Sequence, residues 1–363
     1  MPVYQRTMLF NILNQLEKDI TPVQNEMSPT MVDTQTAYND KIPAESESID
    51  SCGVYYNIPP VLQLSTMPEA IDVLQFKNPH GPTNSNGDYV SLYRFSDLTN
   101  NISRFNLYYY SSGNRIDNVY ENILQGVTVK QDATFTYNAF FKAKQNLMNS
   151  RLSNLDGTPN SWYPAYANPT DWFEQITNKN NLQTSEIDLS KPAEAFSSQF
   201  SIIGNQSDES LHWNRLDKSG DVAVTAINDK SVFSKIRFKF MQVQIERNWL
   251  NFDLFNMGGW YLGGQEAGYV SSGEIENNDG IFPLYPTSFI LATDLEIIGN
   301  LNTADIAIVL NDIQKNGSIN LGPFNINTMV NDASSNTDIL KNNGYFILGW
   351  ISQLVNLSPK TDS

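Results

Sequence analysis

The chain has 363 residues, of which 40% are hydrophobic and 17% are charged, and its formal net charge is −16 at pH 7. This composition is that of a globular protein with a sizeable core, not of a disordered chain. The acidic balance argues against binding nucleic acid, and against docking on an anionic membrane through a basic patch, because both need clustered Lys and Arg.

The first 50 residues predict a helix followed by a polar arm. Leu9, Ile12 and Leu16 recur at helical spacing, so we predict a short amphipathic helix over residues 6–18. It packs on its own domain or docks on a neighbouring subunit, and a membrane role is less favoured because its polar face has few cations and no Trp. Residues 21–50 are polar with scattered Pro and Ser, which is typical of an irregular arm.

The cysteine count and the character of the first residues bear on disulfide formation, on metal binding and on the location of the protein. Cys52 is the single cysteine, which excludes an intrachain disulfide and a thiolate metal cluster. The first residues lack the order of a secretory signal, and no run approaches the about 20 apolar residues of a membrane helix. We therefore expect a cytoplasmic protein, or one released without a cleaved signal peptide.

After the arm, the patterns alternate between strand and helix. Residues 54–64 are apolar and β-branched around two prolines, which is typical of an edge or broken strand. A short helix is predicted over residues 67–76, where Pro68 suits the first turn. Residues 89–95 and 102–110 are rich in Tyr, Phe and Leu and predict two strands.

Two further helices follow. Residues 132–152 contain one apolar stripe that we expect to be buried: Phe135, Ala139, Phe140, Ala143 and Leu147. A short helix is predicted over residues 171–177, with Thr170 or Asp171 as its cap.

Aromatic residues near these helices and in a later glycine-rich loop are candidate packing anchors or interface contacts. The candidates are Trp162, Tyr163, Trp172, Trp249, Trp260 and Tyr261. Exposed, the aromatic residues between 162 and 173 would form a stacking platform for a sugar or a protein partner. Aromatic side chains are usually interior, so packing is favoured.

The C-terminal half has the clearest strand patterns. Residues 178–219 are polar and turn-rich, and apolar alternation resumes at residues 221–227. A long strand follows over residues 231–248, where the apolar positions move from even to odd numbers. This shift predicts either a β-bulge near Met241 and Gln242 or a change of the buried face. The strand ends in the sequence Glu-Arg-Asn-Trp. This predicts an ion pair at the strand end, with the Trp249 side chain packed beside it.

Four further strands are predicted, over residues 289–298, 305–313, 318–326 and 345–354. Pro283 and Pro286 close the glycine-rich loop before the first of them. Asn316 and Gly317 separate the second from the third, and this pair is a strong hairpin signal because both residues tolerate positive φ.

These patterns predict a β-rich α+β fold with mostly antiparallel sheets, arranged as a sandwich or a barrel, and a few helices. Residues 1–50 form the N-terminal helix and arm, and residues 51–363 form the body. A subdivision near residues 178–220 would separate a mixed α/β part, 51–177, from a sheet part, 221–363.

No recognised catalytic constellation occurs in the sequence. A Ser-His-Asp triad would need His80 or His212 as its base, and no G-x-S-x-G elbow is present. Asp294 and Glu296 alternate on one strand face, roughly 7 Å apart, which is the order of separation in a glycosidase pair. Solvated strand faces have such pairs routinely, so we interpret these two as a surface feature.

Cofactor and metal motifs are also absent. Residues 274–280 offer oxygen ligands for Ca²⁺, but their glycine stands at the seventh position and not at the sixth of an EF-hand loop. Residues 258–264 match neither phosphate-binding glycine pattern, and Trp260 and Tyr261 would crowd a backbone approach. We therefore expect no catalytic, cofactor-binding or metal-binding residues.

Three functions stay open. The favoured one is a non-catalytic protein that acts by self-association or binding, such as a structural subunit whose main partner is itself. The alternative is a pore-forming or membrane-damaging protein that oligomerises on lipid, for which residues 219–244 come closest to a lipid-inserting hairpin. The second alternative is a carboxylate-dependent, carbohydrate-active enzyme that uses Asp294 and Glu296.

Overall fold

A computed structural model describes residues 8–20, 60–65, 70–103, 108–109, 111–191, 200–201, 211–216, 222–275, 277–332, 334 and 337–360. The predicted polar arm, Cys52 and the first part of the predicted strand at residues 54–64 lie outside these ranges.

The helices are α1 (Met8–Asp19), α2 (Tyr89–Thr99), α3 (Ile116–Gly126), α4 (Thr134–Ser150), α5 (Trp172–Thr177) and α6 (Thr303–Asn316), with 3₁₀ turns at Val73–Phe76 and Phe252–Asn256. The strands of the first half are β1 (Val61–Ser65), β2 (Asn101–Ser103), β3 (Tyr108–Tyr109), β4 (Ser111–Arg115), β5 (Val127–Val129), β6 (Leu152–Ser153), β7 (Ser161–Trp162), β8 (Tyr166–Asn168) and β9 (Gln183–Asp188). Those of the second half are β10 (His212–Leu216), β11 (Val222–Ala226), β12 (Val232–Glu246), β13 (Trp260–Leu262), β14 (Leu284–Asn300), β15 (Ile319–Leu321), β16 (Phe324–Ile326), β17 (Thr328–Asp332), β18 (Thr337–Asn342) and β19 (Phe346–Leu354).

This inventory confirms a β-rich α+β fold. Strands hold more of the described residues than helices do, and all pairs of named strands are antiparallel except β1 with β3. The largest sheet has 11 strands and is organised around β14, which pairs with β12 and β2 along one edge and with β18 and β19 along the other. None of the sheets formed by the described strands closes on itself.

The long strand β12 is buried on different faces along its length. Ile236 and Phe240 pack into one core cluster, whereas Met241 and Val243 pack into another. The register with β14 is continuous across these residues, and its shifts lie nearer the start of the strand, between Phe233 and Lys235 and between Arg237 and Lys239. The predicted bulge near Met241 and Gln242 is therefore wrong, and the alternative prediction, a change of buried face, is confirmed.

Helix α1 packs on its own chain, as the first of the two sequence alternatives stated. Ile12, Leu13, Leu16 and Ile20 are all buried and belong to the core cluster that lies against the first half of β12. The apolar face of α1 is thus already occupied within the protein.

The strand predicted at residues 89–95 is wrong, because this segment is part of helix α2. The carboxylate of Asp88 caps the helix by accepting hydrogen bonds from the backbone N–H groups of Val90 and Ser91, both at 3.0 Å. Leu92 and Phe95 then occupy the buried face at helical spacing. The aromatic composition that suggested a strand belongs to an amphipathic helix.

The strand predicted at residues 305–313 and the hairpin predicted at Asn316 and Gly317 are also wrong. These residues form helix α6 and its C-terminal cap, in which Gly317 has φ of 80° and its N–H donates to Ile313 O at 3.0 Å. Positive φ is used here to end a helix. The hairpin joins β15 to β16 instead, and contains Gly322 with φ of 54°.

Smaller predictions have mixed outcomes. Helices α4 and α5 and strands β11, β14 and β19 lie where they were expected. Of the predicted helix at residues 67–76, the described residues 70–76 contain a 3₁₀ turn at Val73–Phe76, and residues 67–69 lie outside the described part. Within residues 102–110, the described residues belong to strands β2 and β3, while residues 104–107 and 110 lie outside the described part. Pro286 lies within β14 and does not end the preceding loop.

The main sheet takes strands from both predicted parts of the body, because β1 pairs with β19, and β8 and β9 pair with β12. The subdivision near residues 178–220 stays a prediction. Residues 219–244 do not form a hairpin in the described part, since β11 pairs with β10 while β12 pairs with β8, β9 and β14. Among the described helices, none combines the length and the apolar character needed to cross a membrane.

Arg247 directly follows β12 and does not form the predicted ion pair with Glu246. Its guanidinium is buried and donates to three neutral acceptors, Asn100 Oδ1, Pro286 O and Thr99 O, each at 2.7 Å. Burial lowers the pKa of Arg247 to about 10, while the charges of nearby ionisable groups act in the opposite direction. This side chain joins β14 to the end of α2.

Candidate functional site

A cleft of about 480 Å³ lies between the loop before α2, strand β8 and the start of α5. His80, Tyr166, Asp171, Glu174 and Glu246 are among its lining residues. They come from segments that are far apart in the sequence.

The loop on one side of the cleft is fixed by its own hydrogen bonds. Asn84 Nδ2 donates to Asn78 Oδ1 and to Pro79 O, both at 2.9 Å. Gly87 lies so close to this turn that an added Cβ would be 2.3 Å from Pro79 O, which only glycine avoids. The His80 ring stacks on Tyr89 at a centroid distance of 4.0 Å. This wall is therefore held in place by contacts within the chain.

The opposite side is held by β8 and β12. Glu246 Oε1 accepts a hydrogen bond from Asn168 Nδ2 at 2.8 Å, and the peptide bond from Asn168 to Pro169 is cis. Asp171 Oδ1 accepts from Gln175 Nε2 at 2.8 Å. Beneath them, Trp172 is buried in the aromatic cluster that α5 packs against.

The described lining is acidic and contains no Lys or Arg. Its carboxylates can accept hydrogen bonds from hydroxyl, amide or cationic groups. It does not assemble a serine–histidine pair, because Ser91 Oγ donates to Asp88 Oδ2 at 2.7 Å and His80 Nδ1 is buried without a hydrogen-bond partner in the described part. The second histidine, His212, lies on β10 and not in the cleft.

Asp294 and Glu296, the predicted carboxylate pair, are both occupied by lysines. Asp294 has φ of 51° at a register shift of β14 and lies 2.6 Å from Lys179 Nζ and 3.2 Å from Lys239 Nζ. Glu296 lies 2.8 Å from Lys341 Nζ. Partial burial acts to raise the pKa of Asp294, but the hydrogen bonds from the two lysines lower it overall. Asp294 and Glu296 therefore belong to an ion-paired face of the strand.

This arrangement gives a pH-dependent prediction. The carboxyl of Asp294 should titrate below the usual range of Asp, so that its ion pairs persist above that range and weaken as the pH falls through the lowered pKa. Side-chain carbonyl chemical shifts followed during an acid titration measure it. A titration above the usual range, as a general acid needs, would contradict the structural interpretation and support the carbohydrate-enzyme alternative.

Five of the six aromatic anchors lie in the core. Trp162, Tyr163, Trp172, Trp249 and Trp260 are 0–5% exposed, whereas Tyr261 is 42% exposed. The indole N–H of Trp249 donates to Pro164 O at 2.7 Å, and that of Trp260 donates to Met257 O at 2.9 Å. Only Tyr261 of this set has the exposure that an interface contact requires.

Helix α4 has a second apolar face that the sequence analysis missed. Phe140, Ala143 and Leu147 are buried as expected, but Phe135 is 64% exposed, so its assignment to the buried stripe is wrong. On another side of the helix are three exposed residues, which we name the exposed helix stripe: Tyr137 (59%), Phe141 (51%) and Met148 (75%). The Tyr137 and Phe141 rings stack at 6.5 Å with an interplanar angle of 13°. Their spacing of four and seven residues was the available signal.

The loop considered for calcium is built around a buried amide. Asn278 Oδ1 accepts from Ser272 N at 3.0 Å and Gly280 N at 3.3 Å, and its Nδ2 donates to Ser271 Oγ at 2.9 Å. No group of three or more His, Cys, Asp or Glu suited to a metal ion occurs among the described residues, which exclude Glu276.

Comparisons with protein-family models, with curated proteins and with solved structures find no match to this chain.

Proposed function

We propose that this chain is a non-catalytic, β-rich protein that acts by association, and that its first partner is a second copy of itself. The exposed helix stripe carries the proposal. Three large apolar side chains on one side of α4 are more than half exposed. Fully burying an exposed side chain of this size is worth about 1.5–3 kcal/mol, and a contact would recover the part of this that corresponds to the area still exposed. Contiguous exposed apolar side chains commonly mark interaction sites.

The charge of α4 supports a second copy as the partner. The protein has 39 Asp and Glu residues and a net charge of −16, so two copies repel each other over most of their surfaces. Helix α4 contains no Asp or Glu and includes Lys142 and Lys144. Two copies that meet along this helix avoid direct contact between carboxylates. A two-fold axis would also place the apolar stripe of one copy against the same stripe of the other.

Phe141→Glu is expected to weaken self-association by about tenfold or more, because a buried contact would then contain an unpaired charge. Sedimentation velocity over a concentration series measures the change. Phe135→Glu is the matched control, since it adds the same charge to the same helix at an exposed position outside the stripe.

The control variant should associate as the unmodified chain does. Equal effects of the two substitutions would point to net charge and not to the stripe. If the full chain sediments only as a monomer at high concentration, self-association is wrong.

A further inference from the structure

Strand β11 is the outer strand of a four-stranded sheet with the order β11-β10-β15-β16. It pairs with β10 on one side, and no described residue pairs with its other side. The sheet itself is firmly held, because Trp213 on β10 is 1% exposed and its Nε1 donates to the buried Asp305 Oδ1 at 3.0 Å. An open strand edge is thus presented on a fixed support.

The register identifies the backbone groups on that open edge. The carbonyl of His212 accepts from Gly322 N at 3.2 Å, so His212 directs its backbone groups away from β11. Backbone direction alternates along a strand, so Trp213 and Arg215 direct theirs toward β11, opposite Thr225 and Ala223. The intervening residues of β11 must then direct their N–H and C=O groups outward: Val222, Val224 and Ala226.

This edge lacks the features that usually prevent strand pairing. The sequence of β11 is Val-Ala-Val-Thr-Ala, with no charged residue and no proline. Val222 is 47% exposed and Val224 is 60% exposed. A second strand of matching length can form hydrogen bonds with the outward N–H and C=O groups of β11 in place of solvent.

We propose that β11 pairs antiparallel with β11 of a second copy around a two-fold axis. The inference rests on the proposed self-association and adds a surface distinct from the exposed helix stripe. With Val224 opposite its own copy, Val222 lies opposite Ala226, and every outward N–H meets an outward C=O. No like-charged residues oppose each other, and the two four-stranded sheets join into one continuous sheet.

The two-fold geometry gives a charge-exchange test. Val224→Lys and Val224→Glu should each weaken association by about tenfold or more, because each places like charges directly across the axis. An equimolar mixture should regain association, since Lys then faces Glu. Val224→Thr keeps the β-branched shape without charge and is the control. Sedimentation velocity on the full chain measures all four samples.

Amide hydrogen exchange gives an independent readout. The N–H groups of Val222 and Val224 should become protected as protein concentration rises, whereas those of Ala223 and Thr225, which already bond to β10, should be protected at every concentration. At a dilution where the unmodified chain is monomeric, unchanged melting temperatures would show that the charged variants fold, as expected for a side chain that is 60% exposed.

The outcomes separate the two proposals. Association that Phe141→Glu weakens while both charged Val224 variants leave it unchanged overturns strand pairing alone. Failure of the mixed sample to regain association overturns the two-fold register. A full chain that is monomeric at all concentrations overturns both proposals.

Discussion

Arg247→Met is expected to lower the free energy of unfolding by about 2–4 kcal/mol. The substitution leaves three buried acceptors without their donor, on Asn100, Pro286 and Thr99. Each unsatisfied buried acceptor costs about 1–3 kcal/mol. The loss is smaller than their sum because methionine does not carry the desolvation cost of a guanidinium, the cost that also lowers the pKa of Arg247.

Chemical denaturation at pH 7 and one fixed protein concentration measures this change, since association shifts apparent stability. Arg237→Met on the preceding strand β12 is the matched control, because Arg237 forms an exposed pair with Glu186 at 2.5 Å. Arg237→Met should leave the denaturation midpoint essentially unchanged, because an exposed ion pair contributes little to stability. Equal shifts for the two variants would show that the buried hydrogen bonds of Arg247 contribute little.

Trp249→Ala is expected to lower the free energy of unfolding by about 3–5 kcal/mol. Its ring is fully buried, lies 5.9 Å from Tyr120 and 5.6 Å from Tyr163 between ring centroids, and donates to Pro164 O. Alanine would leave a cavity and an unpaired carbonyl. The free energy of unfolding of Trp249→Phe should lie between that of the unmodified chain and that of Trp249→Ala, because phenylalanine keeps most of the packing but loses the hydrogen bond.

Tyr261→Ala is the comparison for this series, since Tyr261 is the exposed member of the same aromatic set. We expect a much smaller shift for it in the same denaturation experiment. A loss for Tyr261→Ala as large as for Trp249→Ala would contradict the division of the anchors into core and surface residues.

Local patterns predict long, strongly periodic elements of this fold and fail where one local feature suits two structures. Alternation located β12, and helical spacing located α1 and α4. The pair Asn316 and Gly317 signalled positive φ correctly, but positive φ ends a helix as readily as it turns a hairpin. Aromatic richness at residues 89–95 was assigned to a strand, although Asp88 supplies a helix cap directly before it.

The candidate sites depended on information that is not local. The cleft brings His80, Tyr166 and Glu246 together from three separate segments, and no spacing in the sequence relates them. Glu246 and Arg247 are consecutive at a strand end, where side chains point to opposite faces, so their predicted ion pair conflicted with strand geometry itself. Helix α4 has two apolar stripes, and the sequence does not show which of them is buried. The packing of one stripe against the core leaves the other exposed.

The separation of α4 from β11 has a consequence for the size of an assembly. The buried face of α4 belongs to one core cluster, whereas the sheet of β11 packs on another. If both proposed surfaces form, a closed pair uses only one of them, and a second pair can join through the other. Growth then ends in a closed tetramer where the two-fold axes intersect at right angles, and continues as an open chain where they do not. Blocking either surface alone would leave discrete dimers held by the other.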